Sequence, residues 1–274
     1  MAWGNLSEIR DWNYLVEDFR RDHALLHPYR MRVEKSVHVQ AEYDPTDPVG
    51  ETRWLHALIE AGSAYPHAIV GGVNLADPDA EHVLAGHREF ARVRGVRQLL
   101  NQHDTPHYNF AERDFLNDPV WRENLSLLAK YDLTFDLQIY PHQALAAAEA
   151  IRSNPDVKFC LNHGGMPIDR DPAGIDRWKS ALDLLSREPN AWAKISGLAM
   201  VEPTWNPSQL RGFVDQIIAS FGVERSLFAS NFPIDRLRKS YAQVWWGFNQ
   251  ATSHMNDDQR ARLFHDNAVE FYRL

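Results

Sequence analysis

The chain has 274 residues, of which 44% are hydrophobic and nine are Trp, and its formal charge is −8. This length suits one large α/β domain or two small ones, with ample apolar material for a core. The acidic balance argues against nucleic acid or an anionic membrane as the main partner, though a local basic pocket could still bind a small anion. The single Cys160 excludes an internal disulfide and fits a reducing cytosol, the expected location. There is no run of about 18 apolar residues, so no membrane span is expected. The start of the chain carries no apolar signal-peptide core.

In chain order, a segment with Trp3 and Trp12 precedes an expected helix at 13–22. A strand at 35–41 leads to a helix at 50–61, and a strand at 68–73 to a helix at 79–93. The next strands and helices are 94–100 with 119–131, 133–140 with 142–153, and 157–162 with 175–187. Then come 191–196 with 207–221, 226–230 with 240–252, and a last helix at 257–271. Asp118-Pro119 and Asn206-Pro207 each set a capping side chain before a proline whose missing N–H costs nothing in a first helical turn. Repeated strand–helix units imply a parallel sheet. No repeat, low-complexity tract or linker divides the chain, so 1–274 reads as a single domain. The longest loops, 102–118, 164–174 and 197–205, all follow strands, on the catalytic side of a barrel.

The pattern is that of an α/β, (β/α)8 TIM barrel, distorted or incomplete at its first strand. Only seven strands are found, and seven leave two unpaired edges. Residues 1–10 could form a poor substitute strand, a partner could cover the gap, or an N-terminal segment is absent from this chain, which is the favoured expectation. An exposed barrel edge and many Trp would favour a homo-oligomer, although no segment marks an interface.

Strand parity assigns the side chains that face inward. In Val37-His38-Val39-Gln40-Ala41 the valines are expected on the helices, with His38 and Gln40 inside. Asp136, Gln138 and Tyr140 form the inward set of their strand, as do Trp192, Lys194 and Ser196 of theirs. Arg97 shares a face with Gly95, which leaves room for a long side chain. Polar groups on four strands exceed what a structural barrel interior needs.

His163 follows an apolar strand and precedes Gly164-Gly165, where backbone can turn closely around a ligand. Strict parity would turn it outward, but it stands at the strand end, where a turn can re-aim it. Its plainer role is a capping histidine. Arg97 could bind a carboxylate or polarise a carbonyl through its forked donors, or sit in a buried salt bridge with Asp136 or another acid. Lys194 has the same two readings. Asp136 reads as structural, Tyr140 and His142 could reach substrate, and Cys160 reads as a small core residue. The chain has 13 His but no His-x-His pair. His23/His27 and His103/His107 are spaced four apart without a convincing metal-binding context. No Walker loop, nucleophile elbow or dinucleotide fingerprint is present.

Taken together, Val37-His38-Val39-Gln40-Ala41, Gly95-Val96-Arg97, Phe135-Asp136-Leu137-Gln138, Asn162-His163-Gly164-Gly165 and Phe228-Ala229-Ser230-Asn231-Phe232-Pro233 resemble the amidohydrolase superfamily, in its amidohydrolase-related branch. The match runs from about Asn13 to the C-terminus. The resemblance implies a barrel that opens sugar-acid or muconate- and pyrone-type lactones with an activated water. It implies a His-x-His pair on the first strand, a histidine after the sixth that binds metal or polarises the carbonyl, and an aspartate after the eighth that deprotonates water. His163 matches the histidine, while Arg97 and Gln138 match positions facing the substrate. The His-x-His strand is absent and the aspartate is replaced by Asn231, an amide with no useful basicity near neutral pH. Asp235 lies four residues further on and could act in its place, although helix capping or a salt bridge is the expected role.

The expected catalytic residues are therefore His163, Asn231 and Arg97, with Gln138, Tyr140, His142, Lys194 and Gln40 around the substrate. A divalent metal, zinc or manganese, is implied if a His-x-His strand exists, and no cofactor otherwise. The expected partner is a small carboxylated lactone. Three other readings stay open: a metal-dependent decarboxylase, a non-catalytic barrel that binds a small acid, and a truncated barrel.

Overall fold

The computed structural model describes residue 9 and residues 11–274. The expectation of a substitute strand over 1–10, and with it Trp3, lies outside the described residues. Among the described residues, seven parallel strands form one curled sheet in sequential order: β1 (Val37–Val39), β2 (Ala68–Gly72), β3 (Val93–Leu99), β4 (Thr134–Gln138), β5 (Phe159–Leu161), β6 (Ala191–Ile195) and β7 (Ser226–Phe228). Helical segments run between them, and the whole is an incomplete TIM barrel. Among the described residues β1 pairs only with β2 and β7 only with β6.

The two faces of the sheet carry different side chains. Ile69, Val96, Phe135, Phe159, Leu161, Ala193, Ile195 and Phe228 face the helices and join Trp121, Trp178, Phe213 and Phe248 in the main core. Each large apolar side chain buried there contributes about 1.5–3 kcal/mol relative to exposure. Val70, Cys160, Trp192 and Leu227 face inward and form a floor with Val37 and Val39, closed by Phe271 and Tyr272 of the helix Asn267–Tyr272. Within this floor Lys194 forms a salt bridge with Asp136, and the Tyr272 hydroxyl donates to the same carboxylate at 3.0–3.1 Å.

The register at β1 reverses the expected parity. His38 stands beside Ile69 and Val39 beside Val70, so the valines face the floor and His38 faces out. There its Nε2 donates to Glu51 of the helix Gly50–Glu60 at 2.6 Å. Gly95 pairs with Thr134, and a Cβ on it would lie 2.2 Å from Thr134 Oγ1, so its absence permits this close approach of β3 and β4.

Both expected caps are present. Asp118 accepts from the N–H groups of Val120 and Trp121, and Asn206 and Gln209 cap each other reciprocally. The helix expected over 119–131 divides into Pro119–Leu125 and Leu127–Lys130. At the break the Ser126 hydroxyl donates to the Glu123 carbonyl at 2.7 Å, competing with the helical ladder. Among the described residues no helix is long and apolar enough to cross a membrane.

Candidate active site

β5 ends at Leu161, and the backbone then enters a tight turn over Asn162–Gly165. His163 adopts the left-handed region at φ 55° and Gly164 at φ 57°. This turn takes His163 off the outward face, and Trp178 holds it by donating Nε1–H to the Gly164 carbonyl at 2.7 Å. His163 Nδ1 lies 2.9 Å from Ser196 Oγ, at the end of β6. Gly197 follows at φ 65°; a Cβ there would stand 2.8 Å from His163 Nδ1 and 3.3 Å from Asn231 Nδ2. The rims of β5, β6 and β7 thus meet across one glycine. Burial, with the charges of Arg97 and Lys194, pushes the His163 pKa down to about 3, so the ring is neutral at physiological pH.

Arg97 reaches inward from β3. Its Nη1 donates to Gln138 Oε1 at 3.4 Å and its Nη2 to the Gln40 carbonyl, while its buried Nε has no partner. Among the described residues it forms no salt bridge. Burial lowers its pKa, opposed by Asp136, Glu42 and Glu51. Gln138 donates Nε2–H to Asn101 Oδ1 at 3.0 Å, and Asn101 donates to Met166 Sδ. Gln40 is buried, its Oε1 accepts from the Glu42 N–H, and it touches the open face of Gly72.

The structure therefore gathers Arg97, Gln138 and Gln40 into one group and His163, Ser196 and Asn231 into another, coupled through the field of Arg97 at His163. The other sequence candidates lie apart. Lys194 is committed to Asp136 in the floor, the salt-bridge reading of that residue. Tyr140 is fully buried with Met166 and Met200, and its hydroxyl donates to the Tyr108 carbonyl at 2.8 Å. His142 stacks on the Tyr140 ring in a neighbouring pocket lined also by His103, Ile168 and Arg177. His103 and His107 each pack on the Tyr108 ring, and His23 packs among Phe19, Tyr65 and Tyr241.

Asn101 was missed by the sequence reading. Its one signal is a polar residue directly after Leu99-Leu100. Asp235 was placed in a helix cap or a salt bridge, and the structure corrects this. Among the described residues its side chain forms no salt bridge and caps no helix; it is 1% exposed and accepts from Asn231 Nδ2 at 2.8 Å. Burial raises its pKa to about 8, the Asn231 hydrogen bond opposing the shift.

The amidohydrolase family model matches residues 2–274, and the chain belongs to that family. It is 38% identical over 274 residues to the uncharacterized protein y4mH of Sinorhizobium fredii, covering 100% of this chain and 90% of that one. It is 28% identical over 254 residues to an L-fucono-1,5-lactonase of Burkholderia ambifaria, covering 89% and 82%. A solved amidohydrolase of Burkholderia multivorans with bound zinc superposes with a TM-score of 0.82 at 23% identity, covering 99% of this chain and 92% of that chain.

The described side chains do not fit such an ion. Among the described residues no three His, Cys, Asp or Glu groups converge as a metal site. At His163 the cationic fields of Arg97 and Lys194 that depress its protonation also oppose a bound cation.

Proposed function

We propose that this chain opens the ring of a sugar-acid lactone, or of a carboxylated lactone of the muconate or pyrone type, by adding water. The observation that carries this reading is Arg97. It is a guanidinium inside a parallel barrel with an unpartnered Nε and no salt bridge among the described residues, and its field reaches a neutral histidine at the strand ends. Similarity to an L-fucono-1,5-lactonase supports the same reaction class.

In this reading Arg97 receives the substrate carboxylate or the carbonyl oxygen through its forked donors. With Ser196 donating to Nδ1, neutral His163 carries its proton on Nε2 and donates to the lactone carbonyl as negative charge grows there. Gln138 and Asn231 orient the attacking water. The water oxygen bonds to the acyl carbon, the bond from that carbon to the ring oxygen breaks, and the ring oxygen leaves with a proton as an alcohol. The product is a hydroxy acid.

A panel of sugar-acid and muconate-type lactones, headed by L-fucono-1,5-lactone, tests this. At least one member should be hydrolysed, with kcat/KM falling by about 10²–10³ in His163→Ala and in Arg97→Ala. Folded protein that turns over no member of the panel overturns the reading.

A further inference from the structure

The four-residue step from Asn231 to Asp235 places a carboxyl group directly behind the rim amide. Asn231 sits in the left-handed region at φ 53°, and its carbonyl accepts from the Asp235 N–H at 3.0 Å. The backbone therefore folds back on itself and brings the Asp235 carboxyl to Nδ2 of the same amide at 2.8 Å. The turn is sealed by apolar packing, with Ile234 and Leu237 against the cluster of Tyr140, Met166 and Met200. Its cations point elsewhere: Arg236 lies over the Trp12 ring at 5.3 Å, Lys239 over Trp205 at 5.0 Å, and Arg238 is exposed. Among the described residues Asp235 thus has Asn231 as its side-chain partner rather than a charge.

An amide side chain carries a donor at one end and an acceptor at the other, and in water it turns freely between the two. In this pair Asp235 Oδ1 is the acceptor and Asn231 Nδ2 the donor, so the carboxyl holds the nitrogen end of the amide and its own proton sits on the other oxygen. We propose that Asp235 is a positioning residue for the lactone-opening reaction: by holding Asn231 Nδ2 it turns Asn231 Oδ1 outward as the acceptor that orients the attacking water. This inference rests on the lactonase reading for its chemistry, while the orientation itself does not. Because the buried carboxyl keeps its proton through neutral pH, an amide of the same shape should replace it, and an apolar group should not.

Two variants and two measurements decide the matter. On a lactone that the protein hydrolyses, Asp235→Leu should lower kcat about tenfold with KM little changed, and Asp235→Asn should stay within about threefold of the parent. Independently of any substrate, the Asn231 side-chain amide should give two well-separated, slowly exchanging proton signals in the parent and in Asp235→Asn. In Asp235→Leu the proton that faces residue 235 should exchange with solvent faster and move toward the position of a free amide. An unchanged amide signal in Asp235→Leu overturns the inference, as does equal kcat loss in both variants. If no lactone is turned over, the lactonase reading fails and the amide signals still decide the positioning.

Discussion

His163 is neutral at physiological pH because burial and two nearby cations depress its pKa to about 3. Of those cations Arg97 is the one beside the site, so Arg97→Met should raise the His163 pKa, read from its ring-proton shifts as pH falls. A titration unmoved by that substitution would mean that burial and Lys194 set it without Arg97. Lys194 makes a different prediction. Its ammonium is buried against Asp136, and Lys194→Met leaves a buried carboxylate with the Tyr272 hydroxyl as its remaining hydrogen-bond partner among the described residues. Breaking such a pair costs about 3–5 kcal/mol, measurable as a shift in urea midpoint. Replacing both partners with apolar residues should cost much less. The sequence brought Lys194 and Asp136 to the same interior by parity, but parity does not say which cation, Arg97 or Lys194, takes the acid. That choice depends on which strands stand close enough, and here β4 and β6 reach across β5.

Among the elements, strands and most helix starts were legible because their signals are local: apolar runs, capping side chains and Pro in the first turn. The face of β1 was not legible. A three-residue strand has only two ways to face, and the alternation of Val with His fits both. The choice is made by Glu51 on the following helix, which offers His38 a carboxylate, and by the apolar part of the floor, Val70 and Leu227 among it, against which the valines pack. The turn after β5 shows the opposite case. The pair Gly164-Gly165 announces a turn, and the turn delivers His163 to the interior as its position suggested. Asp235 was singled out from the sequence, but its burial was not legible, since an acid followed by Arg236, Arg238 and Lys239 offers ready salt-bridge partners. The rim also depends on Gly197. Gly197→Ala would place a methyl 2.8 Å from His163 Nδ1 on backbone at φ 65°. It should displace the His163 ring, lower Tm, and reduce any activity that depends on His163. Unchanged His163 ring shifts in that variant would show that the rim yields without cost.

For the molecule as a whole, two buried titrating groups give stability opposite slopes with pH. His163 has a folded pKa near 3, below its ordinary 6.5, so the unfolded chain takes up the proton first. Its contribution to stability is therefore lost as pH falls from about 6.5 toward 3. Asp235 has a folded pKa near 8, above its ordinary 3.8, so the folded chain holds the proton longer. Its contribution is complete below about 3.8 and is lost as pH rises toward 8. Asp235→Asn removes the second slope. The Tm of that variant minus the Tm of the parent should therefore climb steadily between pH 4 and 8. A flat difference would mean that Asp235 ionises normally.

The sequential order of the strands also has a meaning in time. Each of β2 to β7 pairs with the strand made immediately before it, so the sheet can grow by short-range steps as the polypeptide leaves the ribosome. The floor cannot. The Asp136 carboxylate receives the Tyr272 hydroxyl only after 136 further residues have been synthesised. Until then the nascent sheet exposes its apolar inner layer and an ion pair that lacks its final hydrogen bond. A chaperone acting on this chain would have its longest opportunity during that interval.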